Sequence, residues 1–119
     1  MRRAGAAACR LLLQRWPEAR HVSVLCGSGN NGGDGFVLAQ LLKEAGRDVA
    51  LVSCGNPSEL PAEAAQAWSD LRSSGVEVIP FSDESTAARL RASDVVVDAW
   101  LGIGVRSPLK PQAIAVINA

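Results

Sequence analysis

One junction constrains this chain more than any other stretch. A short apolar, partly β-branched run from Val22 to Cys26 opens into Gly27-Ser28-Gly29-Asn30-Asn31-Gly32-Gly33-Asp34-Gly35, and an apolar-periodic segment follows at once. Gly27, Gly29 and Gly32 fit the spacing G-x-G-x-x-G, and their position after a strand and before a helix gives that weak motif a meaning. Glycines let the backbone come close to a ligand. The start of the following helix offers unpaired N–H groups and a partial positive charge, so phosphate is the natural guest.

The rest of the chain repeats the same alternation. A helix is predicted from about Gly33 to Ala45, with Val37, Leu41 and Ala45 recurring beside Leu38 and Leu42, and Gly46 closes it with a left-handed conformation. Val49 to Ser53 reads as a second strand. Ala64, Ala67, Trp68 and Leu71 make one helical stripe, Val76 to Ile79 a third strand, Ser85 to Arg91 a short helix, and Val95 to Val97 a fourth strand apolar on both faces. The expected fold is therefore α/β: a three-layer, Rossmann-like, doubly wound and mainly parallel sheet with right-handed crossovers. The final PQAIAVINA looks like the start of a helix that stops short, so the four-strand layer reads as truncated.

Composition enters mainly to exclude. The 119 residues make a single domain, 48% of them are hydrophobic and 20% charged, and the formal net charge is zero. Nothing in that balance favours nucleic acid, whose binding rests on neutralising several phosphates, and no apolar run is long enough to span a membrane. The three cysteines, Cys9, Cys26 and Cys54, show neither metal-ligand spacing nor a disulfide framework, which suits a reducing, cytoplasmic setting. MRRAGAAACRLLLQRW carries four arginines and no acid. It reads as a helix with Ala4, Ala8, Leu11 and Leu12 on one face, with a targeting segment as the alternative.

Residue chemistry then narrows the ligand. A dinucleotide dehydrogenase carries an acid at the end of its second strand for the ribose hydroxyls. Here that strand ends in Ser53-Cys54-Gly55, and Asp48 lies at the opposite edge of the sheet. The glycine loop instead adds Asn30, Asn31 and Asp34, whose oxygens are hard ligands for an alkali or alkaline-earth cation, unless Asn merely supports the turn and Asp34 caps the helix. A second loop, DVVVDAWLGIGVRSP, emerges at the same edge. Its Asp98 ends a buried strand and is expected to meet Asn31 across a crevice if the two strands are neighbours. Arg106 is a candidate phosphate partner, although a lone arginine in a loop is more often solvated; Trp100 reads as packing, and His21, the lone histidine, falls at the opposite edge as a structural residue.

VLCGSGNNGGDGFVLAQLLKEAG and DVVVDAWLGIGVRSP together resemble the two signature segments of the NAD(P)H-hydrate epimerases, the YjeF N-terminal domains. The resemblance covers residues 1–119 as one YjeF N-terminal domain, incomplete at both ends. It implies an isomerase of metabolite repair that interconverts the R and S forms of hydrated NADH and NADPH (NADHX and NADPHX). It implies substrate contacts from Asn30, Asn31, Gly32, Gly33 and Asp34 and from Gly102, Ile103, Gly104, Val105, Arg106, Ser107 and Pro108. It also implies a potassium ion held by Asn31 and Asp98, and an ADP-dependent hydrate dehydratase as fused or separate partner, with room for self-association.

Three departures from the family accompany it. Arginine stands where the family has Glu at the start of the first helix. Ile103 replaces a Thr. The family's D-x-P-S-G segment, which carries a substrate-binding Asp and a potassium-binding Ser, lies beyond Ala119, so the catalytic residue is not assigned and weak turnover is expected of this chain alone. The alternative reading is a non-catalytic nucleotide- or partner-binding module on the same fold. A dehydrogenase half-domain comes third, lacking its acid.

Overall fold

The computed structural model describes residues 2–26, 30–53, 60, 62–99 and 113–116. Nine elements follow one another: α1 (Arg2–Arg15), β1 (His21–Cys26), α2 (Asn30–Glu44), β2 (Asp48–Ser53), α3 (Ala62–Ser73), β3 (Glu77–Pro80), α4 (Asp83–Arg91), β4 (Val95–Ala99) and β5 (Ala113–Val116). The strands form a five-stranded sheet in the order β3-β2-β1-β4-β5, and every pairing is parallel. The doubly wound α/β class expected from the alternation is therefore present.

Strand alternation sorts the core into two faces, because successive side chains point to opposite sides of a sheet. Val22, Val24, Cys26, Val49, Leu51, Val95, Val97 and Ala99 pack on one side with Cys9 and Leu12 of α1, with α2, and with Ala67 and Leu71 of α3. Leu25, Val52 and Val96 pack on the other side against Leu90 of α4. The chain winds outward from β1 through β2 to β3, then crosses back through α4 to place β4 on the far side of β1. Right-handed crossovers put the helices of those two directions on opposite faces.

Helix α2 is covered on several sides by the sheet, α1 and α3, which is why Phe36, Val37, Leu38, Ala39 and Leu42 are all buried. Trp68 of α3 tilts against Phe36 with ring centroids 5.2 Å apart. Gly46 and Gly75 both stand at φ +86° just past a helix end, a conformation that costs glycine nothing and an L side chain about 1 kcal/mol or more.

Three sequence expectations need correction. Ala113–Val116 is strand β5, parallel to β4, and not the start of a helix; Ala-Ile-Ala-Val alternates as well as any strand, and four apolar residues are too few to separate the two periods. Helix α2 begins at Asn30, three residues earlier than its apolar pattern suggests, because glycine and asparagine are poor helix formers whose propensity is overridden by packing. The buried face of α1 is Gly5, Cys9 and Leu12, whereas Leu11 is 56% exposed. Small residues on that face bring α1 close to α2: a Cβ on Gly5 would lie 2.6 Å from Cγ1 of Val37. Among the described residues no helix is long and apolar enough to cross a membrane.

Candidate functional site

The strand order reverses between β1 and β4, and in open α/β sheets ligands bind outside the carboxyl ends of the strands at such a point. The register places Asp98 beside Leu25 and Ala99 beside Cys26. The carboxyl ends of the two strands are thus level, and the neighbour relation on which the Asn31–Asp98 pairing depended is present. The first turn of α2 is Asn30, Asn31, Gly32 and Gly33, four residues after the end of β1. The backbone N–H groups of a helix's first turn lack intrahelical acceptors. The asparagine–glycine run is therefore the helix's opening turn, and its own backbone N–H groups are the ones left without intrahelical acceptors.

Two carboxylates are buried at this edge. Asp98 is 4% exposed and shares its face with Val96, on the side of the sheet away from α2, while its neighbour Ala99 faces α2. Asp34 is 3% exposed and lies in the second turn of α2. That position rules out the capping role, which belongs to the residue before the first turn. Burial pushes the Asp34 carboxyl above its ordinary value, since removing water disfavours the charged form. Helix α1 crosses close by: a Cβ on Gly5 would lie 3.1 Å from the Asp34 carbonyl oxygen.

Gly35 lies against the strand ends. A Cβ built on it would sit 2.5 Å from Sγ of Cys26 and 2.8 Å from Cβ of Ala99, so α2 rests directly on the last residues of β1 and β4. Sequence spacing assigned the motif glycines as Gly27, Gly29 and Gly32. The glycine in close helix–strand contact is Gly35, and a G-x-G-x-x-G pattern gives no signal for it. The second segment, Gly102 to Pro108 with Trp100, lies outside the described residues.

The opposite edge of the sheet is closed by contacts among its own groups. A cavity of about 210 Å³ there is lined by His21, Ser23, Asp48, Arg89 and Ser93. His21 Nδ1 lies 2.9 Å from Asp48, Arg89 donates to Glu77 at 2.6 Å, and Ser23 bonds to Ser93, which donates to the Arg89 carbonyl at 2.8 Å. Asp94 accepts the backbone N–H groups of Arg20 and His21 at 3.0 and 3.1 Å, and those bonds hold its carboxyl below its ordinary value. His21 and Asp48 therefore stand where the sequence placed them, away from the crevice.

Comparison with known proteins agrees with this geometry. Residues 1–119 match the family described as YjeF-related protein N-terminus. The bifunctional NAD(P)H-hydrate repair enzyme Nnr of Coxiella burnetii is 43% identical over 121 residues, which is 99% of this chain and 24% of that protein. The NAD(P)H-hydrate epimerase of Rhodopirellula baltica is 38% identical over 119 residues, which is 100% of this chain and 48% of that protein. The crystal structure of yeast ynu0 (YNL200c) superposes with a TM-score of 0.72 at 25% identity, over 91% of this chain and 48% of the other. The chain thus spans half or less of the length of these proteins.

Proposed function

This chain belongs to the family of YjeF-related protein N-termini, and from that premise we propose that it binds hydrated NADH or NADPH at the carboxyl edge of β1 and β4 and interconverts the R and S forms. The observation that carries the reading is the opening turn of α2, Asn30 to Gly33, at the point where the strand order reverses, with Asp98 buried near the end of the adjacent strand. The phosphates of the nucleotide take the unpaired N–H groups of that turn. Asn30 to Asp34 contact the hydrate, as do Gly102 to Pro108. The names of the relatives, a hydrate epimerase and a bifunctional hydrate repair enzyme, support this substrate. An ADP-dependent dehydratase, fused or separate, is the partner that would consume the product.

A potassium ion fits the donors present, since a carboxylate and an amide are the hard oxygen ligands such an ion takes. Asp98 and Asn31 would hold it, with further oxygens drawn from outside these two residues. When bound, the ion supplies positive charge that offsets the buried Asp98 carboxylate and favours an anionic nucleotide. Inversion at the hydroxyl-bearing carbon can proceed by breaking its C–O bond and re-forming it on the opposite face: the hydroxyl takes a proton and leaves as water, and as water returns to the other face the proton is recovered. Asp34, whose carboxyl is kept protonated to higher pH by burial, suits that role.

The test supplies the R-hydrate of NADPH with an S-specific dehydratase in potassium buffer and follows the recovery of NADPH. The full-length protein is expected to accelerate recovery, and Asp98→Ala to abolish the acceleration. A folded protein that leaves recovery unchanged overturns the epimerase reading. If it nonetheless binds the hydrate in preference to intact NADPH, the non-catalytic binding module takes its place.

A further inference from the structure

We propose that Gly35 is a positioning residue of this site: its missing Cβ sets how closely the opening turn of α2 lies to the ends of β1 and β4, and so sets the spacing between that turn and Asp98. The inference rests on the site proposed above and names what holds its two halves in register.

The packing leaves no slack at this point. A Cβ on Gly35 would fall 2.5 Å from Sγ of Cys26, 2.8 Å from Cβ of Ala99 and 3.3 Å from Cγ1 of Val24, and real Cβ atoms essentially never come within 3.0 Å of such neighbours. Nor can the three neighbours retreat. Cys26, Ala99 and Val24 are 1%, 0% and 0% exposed, and Cys26 and Ala99 are register partners across the β1–β4 pairing. A side chain at position 35 must therefore displace α2, because close-packed interiors transmit strain rather than absorb it.

The displacement falls on the site. Cys26 is the last residue of β1 and Ala99 follows Asp98, so the two atoms beneath Gly35 belong to the strand ends that frame the crevice. Gly35 stands one helical turn after Asn31, on a helix that moves as a unit. Lifting α2 at position 35 carries the opening turn away from Asp98, and errors of about 1 Å in such placements can cost roughly a hundredfold in rate.

The experiment compares wild type, Gly35→Ala, Gly35→Ala with Cys26→Ala, and Leu71→Ala in the full-length protein. Leu71 is buried in α3, and its truncation reports on lost stability alone. Alanine is a better helix former than glycine, so Gly35→Ala would raise the melting temperature if there were room. The expected result is a lower melting temperature, a KM for the hydrate and a half-activating potassium concentration each raised about tenfold or more, and a smaller fall in kcat. Removing Sγ with Cys26→Ala should recover part of all four, while Leu71→Ala lowers the melting temperature and leaves both constants unchanged. A Gly35→Ala protein that melts above wild type overturns the inference, as does one that melts lower with both constants unchanged. If wild type fails to epimerise, the proposed function falls. The inference is then decided by amide hydrogen exchange over residues 30–34, which must quicken in Gly35→Ala and slow again when Cys26→Ala is added.

Discussion

The two edges of one sheet treat the same side chain in opposite ways. At the amino edge Asp94 is exposed and accepts two backbone N–H groups, from Arg20 and His21, and its carboxyl is held low by those bonds. At the carboxyl edge Asp34 is 3% exposed, and loss of water pushes its carboxyl up. Asp94 ties the start of β4 to the start of β1, where its own N–H also donates to the His21 carbonyl at 2.8 Å. Its charge stabilises the fold. The charge on Asp34 costs stability, and natural sequences keep such a group mainly where it does chemistry. The amino edge therefore serves closure of the sheet, and the buried carboxyl at the other edge accords with the ligand site proposed there.

The sharpest way to break that division is at Asp98. Asp98→Ala is expected to lower kcat/KM for the hydrate about a thousandfold, as the loss of a preorganised electrostatic group does, and to remove the potassium dependence proposed above. The dehydratase-coupled assay run across a potassium titration measures both. Unchanged activity would make the carboxyl edge as structural as the amino one.

Asp34→Asn comes next. Activity should fall about a hundredfold if the carboxyl transfers a proton, while stability rises. The sign follows from linkage: a carboxyl raised in the folded state binds its proton more tightly there, so its contribution is favourable in acid and is lost as pH rises through the folded value. The gain from Asp34→Asn should thus be largest at neutral pH and vanish in acid, where the native Asp34 is already neutral. Urea denaturation at a series of pH values reads it.

Asp94→Ala should do the reverse, lowering stability by about 1 kcal/mol, less if solvent screening weakens the bonds, with activity retained. A carboxyl held low in the folded state stabilises above the unfolded value near pH 3.9, and that contribution disappears as pH falls through the folded value. The same denaturation series therefore yields two differences of opposite sign, both closing in acid. Two differences of the same sign would refute the comparison of the edges.

How far the sequence reveals this arrangement depends on which interactions are local. The β–α alternation, the left-handed Gly46, the Ala64-Ala67-Leu71 stripe, Asp98 near the end of β4 and the placing of His21 opposite the crevice all follow from periodicity and turn chemistry within short windows. What escaped is tertiary. The early start of α2 at Asn30 runs against the propensity of its own glycines, and the strand at Ala113–Val116 fits two periods equally well. The contact of Gly35 with Cys26 and Ala99 joins residues far apart in the chain, and no spacing rule announces it. Asp34 could be placed at the ligand edge from sequence, but its burial under neighbouring elements could not. The ligand roles of Asn30 to Asp34 and Gly102 to Pro108 rest on the family resemblance, because the second of these segments lies outside the described residues.

The smallest effect is expected at the most conspicuous pair. His21 and Asp48 lie 2.9 Å apart, yet their side chains are 57% and 58% exposed, and exposed pairs contribute only about 0–1 kcal/mol because water and salt screen them. The starts of β1, β2 and β4 are held instead by backbone bonds, with Asp48 N–H donating to Arg20 at 2.7 Å and Asp94 N–H to His21 at 2.8 Å, and neither bond involves the imidazole. His21→Ala should therefore change the unfolding free energy by less than about 0.5 kcal/mol. Raising salt should shrink even that change. The site stands about 17 Å away along β1, so hydrate kinetics should be unchanged. A fall in kcat/KM from His21→Ala with stability intact would mean that the amino edge takes part in the chemistry, and the division between the two edges would be wrong.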